Sequence, residues 1–274
     1  VATIFELFLI TRSFSAWLLE YEDSQLMRLQ GGNEPSFWFN VGRRSTGDVI
    51  FTTQGSHLVY ENQFVEFVNS LPEDYNLYGL GERIHGLRLH NNFTATIYAA
   101  DVGDPIDRNL YGSHPFYLET RYFEKGGNGS KTPLKQSELQ QSSFGYESKP
   151  AGSPYESLSH GVYYRNTHGM DVVMKPDHLS WRTLGGAIDL FFFDGPSQPE
   201  VTKEYQKSAI GLPAMQQYWT FGFHQCRWGY RNWTELREVV ETMRAFNIPM
   251  GKHPFALCCQ TCLLTINRNY LARH

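Results

Sequence analysis

The sequence predicts a mainly β protein, an antiparallel β-sandwich that leads into a single β/α unit. Three observations carry that expectation. Between Ser36 and Phe193, short β-prone runs recur at close spacing with turn residues between them and no amphipathic helix. After Pro199 the apolar period lengthens to that of a helix. The composition, 41% apolar and 15% aromatic over 274 residues, is ample for one large core or two small ones.

Taken in order, the first 35 residues fit the pattern least. FELFLITRSFSAWLL is the most apolar stretch, but Glu6 and Arg12 interrupt it, so no membrane span is expected. It also lacks the basic start and small-residue cleavage site of a signal peptide, and the chain does not begin with Met. Then come the β-prone runs FWFNVGR, DVIFTT, HLVYEN, QFVEFVNS, TATIYAA, PFYLETRYF, HGVYYRN, MDVVMK and AIDLFFF. Gly, Pro, Asn, Asp and Ser separate them, as in RRSTGD and LPEDYN. Residues 124–157 are polar and rich in Gly, Ser and Pro, and are expected to form a long exposed loop.

Glu200 to Ile210 reads as a short helix stopped by Gly211-Leu212-Pro213. Tyr218 to Gln225, apolar at almost every position, reads as a strand buried on both sides. Asn232 is the expected N-cap of the next helix, with Glu235 three residues on. Leu236, Val239, Val240 and Met243 form its apolar face, and it ends near Ala245. Asn247 to Met250 looks like the entry to another strand. In a barrel of such units the functional groups lie where strands end and βα loops begin, the place of Cys226 to Trp233.

Composition also excludes classes of function. A net charge of -4 without a Lys/Arg cluster gives no footprint for nucleic acid. Cys226 stands alone while Cys258, Cys259 and Cys262 crowd together, which is not a disulfide framework. A closed zinc site needs four ligands, and only His253 and His274 lie near those thiols, so no metal and no cofactor is expected. Gly79, Gly81 and Gly86 do not have the spacing of a dinucleotide loop, and no GxSxG elbow occurs. The abundance of rings, 16 Tyr, 19 Phe and 6 Trp, suits either a sheet of strand-forming aromatics or sugar faces. Sequons at Asn92, Asn128 and Asn232 make these the glycosylation candidates and point to a secretory or extracellular location.

LYGLGE (Leu77 to Glu82), NLYGSHPFYLE (Asn109 to Glu119), HGVYYRNTHGMDVV (His160 to Val173), GGAIDLFFFDGP (Gly185 to Pro196) and GLPAMQQYWTFGFHQCRWGY (Gly211 to Tyr230) resemble, in order, the motifs of glycoside hydrolase family 31, the α-glucosidase family. The resemblance covers roughly residues 36–250. It implies a galactose mutarotase-like β-sandwich over residues 36–205, the start of a (β/α)8 catalytic barrel over 206–250, and retaining hydrolysis of terminal α-linked glucose. The implied partners are α-glucosides, maltooligosaccharides or starch-derived sugars.

Two positions carry over. Asp101 matches the acid on a sandwich loop that contacts sugar hydroxyls, since an ionised carboxylate accepts from two hydroxyls at once; the structural alternative is a loop Asp that caps a turn. Trp228 matches an aromatic lining the glucose pocket at the end of the first barrel strand; the alternative is a rim aromatic that only packs. His224 and Arg227 read as structural. Retention needs a nucleophile and an acid/base, and the family's motifs for both are missing here, so no catalytic residue is assigned. The chain as given is expected to be a truncated, inactive member. Residues 251–274 hold three of the four cysteines and no acid, and are expected to be an aberrant, poorly ordered tail. The rival expectation is a non-catalytic carbohydrate-binding or interaction protein built on the sandwich. Within the enzyme class, α-xylosidase or trans-glycosylase specificity stays open.

Overall fold

The computed structural model describes residues 5–10, 17–23, 37–43, 45–126, 131–134, 155–221 and 230–248. The chain divides into two compact units, Val1–Leu212 and Pro213–His274. The first is the expected sandwich of two sheets. One sheet runs in the order β1 (Phe5–Ile10), β14 (Ile188–Phe193), β11 (Tyr155–Tyr164), β9 (Phe116–Lys125), β10 (Lys131–Leu134), with β7 (Leu77–Gly79) also on β9. The other runs β2 (Trp17–Asp23), β3 (Phe37–Arg43), β4 (Asp48–Thr52), β6 (Phe64–Ser70), β13 (His178–Thr183), β12 (Met170–Lys175), β8 (Phe93–Ile97), with β5 (Leu58–Glu61) on β6.

Each of the nine β-prone runs contributes to a strand. The alternation of side chains across a strand explains why β9 and β14 read as they do. Tyr117 and, on β14, Leu190 and Phe192 enter the core between the sheets. Leu118, Phe191 and Phe193 face outward against α1 (Gln198–Tyr205), where Val201 and Tyr205 cover them. A strand buried on both faces has no polar side to show, so IDLFFF is almost continuously apolar. Gly161 on β11 makes room for this layer, since a Cβ there would stand 2.7 Å from a Val201 methyl. Ser197 starts α1, its backbone N–H and its hydroxyl donating to the Glu200 carboxylate at 3.2 and 2.9 Å. A π turn, Gln206–Ile210, completes the helix expected over Glu200 to Ile210.

Trp181 sits at the centre of the core. It stacks on Phe67 at 5.9 Å within its own sheet and meets Tyr117 and Tyr164 of the other at 6.1 and 5.7 Å. Its indole N–H donates to Asn69 Oδ1 at 2.8 Å, so the buried polar edge is satisfied.

Two arginines clamp the sheets from opposite sides. Arg121 on β9 donates through Nε to Glu119 at 2.8 Å and through a terminal nitrogen to Asp48 on β4 at 2.7 Å and to the Val49 carbonyl at 2.7 Å. Arg43 on β3 reaches back to Asp194 at 2.7 Å and the Ser159 carbonyl at 3.0 Å. Glu119 is fully buried; despite that burial, which favours its neutral form, Arg121 and His160 hold its carboxyl at about 2. His160 lies 3.2 Å from Glu119, yet burial outweighs that charge and pushes the imidazole below its ordinary value.

Several features depart from the sequence expectations. Strands β1 and β2 precede Ser36, and β1 pairs with β14 in parallel, Phe5 opposite Ile188 through Ile10 opposite Phe193. Within the expected loop of 124–157, Lys131–Leu134 pairs with β9 as an edge strand; its Pro133 is tolerated there because an edge needs bonds on one side only. The remainder of that loop not in strands falls mostly outside the described residues.

In the second unit, the strand expected over Tyr218 to Gln225 is corrected: Tyr218–Phe221 form a 3-10 turn. Among the described residues no strand pairs with this run, and a strand needs such a neighbour to take its amide and carbonyl groups. Residues 222–225 lie outside the described set. The helix α2 (Trp233–Ala245) follows as expected: Asn232 Oδ1 accepts from the Glu235 amide at 3.0 Å, and Leu236 is buried, with Val239, Val240 and Met243 half-buried on its face. Among the described residues no helix is long and apolar enough to cross a membrane. The four cysteines, His224, Arg227, His253, His274 and the tail from Gly251 all lie outside the described residues.

Candidate functional site

The segment between β8 and β9, YAADVGDPIDRNLYGSHP, is rich in Gly, Pro, Asn and Asp and leaves the ladder as a long loop. It is nevertheless firmly held. Asn109, almost fully buried, accepts on Oδ1 from the Tyr98 amide at 3.1 Å and donates through Nδ2 to the Gly112 carbonyl at 2.7 Å. The Ala100 amide donates to the Leu110 carbonyl at 2.9 Å, closing the base of the loop.

The segment after β7 supports it from one side. Leu110 donates to the Glu82 carbonyl at 2.9 Å, Glu82 to the Gly112 carbonyl at 3.0 Å, and Asp107 to the Ile84 carbonyl at 3.1 Å. The Arg83 guanidinium donates to the carbonyls of Leu80, Thr96 and Asp107 at 3.1, 2.7 and 3.1 Å, tying the two segments to β8. The Glu82 carboxylate accepts from the Gly112 amide at 2.9 Å, and that bond lowers its titration. A Cβ at 112 would lie 2.4 Å from the Glu82 carboxylate, so any larger residue there would have to displace that side chain from its bond to the Gly112 amide.

Asp101 stands on this frame as an exposed residue. Beside it, Tyr111 exposes its ring, 66% accessible. The charge of Asp101 pushes the Tyr111 phenol above its ordinary value, with Asp104 adding to the effect. A carboxylate oxygen next to an exposed ring is the pairing that a sugar can use, hydroxyls against the charge and C–H groups against the face. Among the described residues no group of His, Cys, Asp and Glu is placed to hold a metal.

The other expected positions fare differently. Trp228 and Asn128 lie outside the described residues. Asn92 is exposed directly before β8, and Asn232 is exposed while its side chain caps α2. Sequence reasoning missed Asn109, Arg83 and Tyr111 as individuals. Asn109 and Tyr111 stand inside the quoted motif NLYGSHPFYLE, so the signal was present as a motif without a role for each residue.

Comparison with known proteins bears on the family and the fold. Residues 10–126 match the glycosyl hydrolase 31 N-terminal galactose mutarotase-like domain, a span that begins ahead of Ser36. Residues 213–258 match the family 31 TIM-barrel domain. The chain is 57% identical over 219 residues to an alpha-glucosidase of Aspergillus oryzae and 56% identical over 220 residues to one of Aspergillus niger. In each case 80% of this chain is covered and the chain spans 21% of the relative's length. Among solved structures, a glucosidase II alpha subunit superposes with a TM-score of 0.56 at 19% identity, over 78% of this chain and 25% of that one. A Flavobacterium johnsoniae GH31 dextranase superposes with a TM-score of 0.52 at 20% identity, over 78% and 22%. At such identity the likeness speaks for the fold alone. The chain belongs to glycoside hydrolase family 31, as the N-terminal mutarotase-like domain with part of the TIM barrel.

Proposed function

We propose that this chain is the sugar-facing N-terminal part of an α-glucosidase-type retaining glycosidase, in which Asp101 accepts hydrogen bonds from hydroxyls of a terminal α-linked glucose. The observation that carries the reading is an exposed carboxylate on a loop whose backbone is fixed by Asn109, Arg83 and the Glu82 segment. Such a group is available to ligand and already oriented. The names of the two Aspergillus relatives support α-glucosides, with maltooligosaccharides or starch-derived sugars, as the substrate class. Trp228 is proposed as an apolar surface for sugar C–H groups. Two exposed sequons, Asn92 and Asn232, support a secretory or extracellular location.

Retention requires two carboxyl groups facing each other across the scissile bond. The family's motifs for them do not occur in these 274 residues, so binding without turnover is the expected behaviour. Two measurements on the chain test this: release of phenol from an aryl α-glucoside, and affinity for methyl α-glucoside by ligand-observed NMR. Turnover overturns the expected inactivity. Absence of affinity, or affinity unchanged in Asp101→Asn, overturns the assignment of Asp101. The second reading is a carbohydrate-binding module, favoured by the fact that Asp101 and Tyr111 both stand on the sandwich. It predicts that residues 1–212 expressed alone bind the glucoside as tightly as the whole chain does.

A further inference from the structure

The sheet that holds β6, β8, β12 and β13 buries one face and shows the other to solvent, and its register fixes which residues share the open face. Ile97, Met170 and Thr183 lie in line across three strands and are buried in the core. Alternation therefore puts Thr96, Asp171, Arg182 and Glu66 in one row on the outer side. The ladder runs one step past the strand ends, the Leu184 amide donating to the Gly169 carbonyl at 3.1 Å. Tyr98 meets them there: a Cβ on Gly169 would stand 3.1 Å from Tyr98 Cδ2 and 3.5 Å from Leu184 Cδ1. The missing side chain lets ring and Leu close over one notch. Both are largely in solvent, 67% and 62% exposed, while the Tyr98 amide is fixed by Asn109 Oδ1 at 3.1 Å.

Beside this apolar pair lies a row of fixed polar groups. The Thr96 hydroxyl donates to Asp171 Oδ1 at 2.6 Å, and Arg182, directly opposite Asp171, donates through Nε to Glu66 Oε1 at 3.1 Å. Glu66 is itself held by the Ser180 hydroxyl at 2.8 Å. Among the described residues, the two terminal nitrogens of Arg182 and Asp171 Oδ2 have no protein hydrogen bond. A guanidinium fork and a carboxylate oxygen match the paired hydroxyls of a sugar, and a ring edged by Leu offers a surface to its C–H groups. Arg182 stands between two carboxylates, so the row has no net positive charge to draw a phosphate or sulfate. Two apolar side chains are also far short of the roughly 800 Å² per partner of a stable protein interface.

We propose that this outer face is a second carbohydrate-contact surface, where Tyr98 and Leu184 support one glucosyl ring of an α-glucan oligosaccharide and Arg182 and Asp171 bind its hydroxyls. It rests on α-glucosides as the ligand class of the proposed function, but not on Asp101.

The test follows the backbone amides of the full 274-residue chain by NMR as maltoheptaose is added. The amides of Gly169, Asp171 and Leu184 are expected to shift, and to shift equally in Asp101→Asn. Tyr98→Ala keeps the amide that bonds to Asn109 and should weaken this response roughly three- to tenfold. Arg182→Gln, at a half-exposed position, should weaken it about tenfold, and it decides the matter alone if the unliganded spectrum shows Tyr98→Ala to be misfolded. No shift at these amides overturns the proposal, as does wild-type affinity in a folded variant of either kind. Tighter binding of inorganic phosphate than of maltoheptaose at the same amides overturns it too. So do shifts there that appear on concentrating the chain without sugar, the mark of a second copy seated on the face. Shifts at this face with none in the Asp101 loop leave the proposal standing and overturn the Asp101 assignment; shifts in the loop alone do the reverse.

Discussion

Two carboxylates of the sandwich, Glu119 and Asp101, have opposite surroundings. Glu119 is buried to zero exposure, bound twice by Arg121 and approached by His160. Asp101 is in solvent with a phenol beside it. The contrast shows how the domain divides its charges. Glu119, between the sheets, is held by Arg121 and serves the architecture, whereas Asp101 on the loop keeps acceptor capacity for something else. It follows that removing charge at the first site should unfold the domain without a specific effect on ligands, and at the second should do the reverse.

The largest expected effect comes from Arg121→Met. It leaves Glu119 and Asp48 without their cation, and breaking a buried pair from one side typically costs about 3–5 kcal/mol. Urea unfolding followed by tryptophan fluorescence should show that loss. Because much of the cost lies in the stranded charge, Arg121→Met combined with Glu119→Gln should recover part of it. A double variant as unstable as the single one would mean that packing, not charge, dominates the clamp.

Acid should act on the same cluster. The folded-state Glu119 value of about 2 lies below the ordinary value of 4.5, so its stabilisation is present in full above the unfolded value and is lost as pH falls toward 2. That difference corresponds to an upper bound on the order of 3 kcal/mol. His160 adds in the same direction. Burial depresses it, so the unfolded chain takes up its proton first as pH drops below about 6.5. Unfolding free energies measured from pH 7 to 2.5 should therefore fall continuously, and in Glu119→Gln the steepest part below pH 4.5 should flatten.

These two predictions depend on contacts that the sequence conceals, and the reason is separation along the chain. The nine β-prone runs were legible because alternation and turn residues are local. So was the α2 start, where Asn232 and Glu235 are three positions apart and bond as the motif requires. Arg121 and Asp48 are 73 positions apart, and nothing near either one names the other. The parallel pairing of β1 with β14 is equally non-local, and the acids in Phe5–Ile10 and Trp17–Asp23 blur their strand pattern. Tyr218–Phe221 failed differently: ring content indicated a strand, but pairing is supplied by a neighbour that composition cannot guarantee. At the site, the family motif singled out Asp101 as a candidate, while the contacts by which Asn109 and Arg83 hold its loop join residues that no local pattern links.

A smaller effect is expected at the helix cap of the second unit. Asn232→Ala removes the acceptor for the Glu235 amide and should cost about 1 kcal/mol locally. Hydrogen exchange of the α2 amides should quicken at its first turn, with β9 and β13 unchanged if the two units unfold independently. Faster exchange in those strands as well would show that the units are energetically linked.

The smallest effect on stability, and the one that decides the comparison, is Asp101→Asn. Its side chain is exposed and its loop is held by Asn109, Arg83 and backbone bonds, none of which involves the Asp101 carboxylate. The unfolding midpoint should therefore stay where it is. Binding is another matter, since hydrogen bonds to a charged acceptor are stronger than those to a neutral amide, and an amide oxygen accepts where its nitrogen only donates. Affinity for methyl α-glucoside should fall roughly tenfold or more. A lowered midpoint with intact affinity would place Asp101 alongside Glu119 as an architectural charge, and the division between buried and exposed carboxylates would then fail at the very residue chosen to represent it.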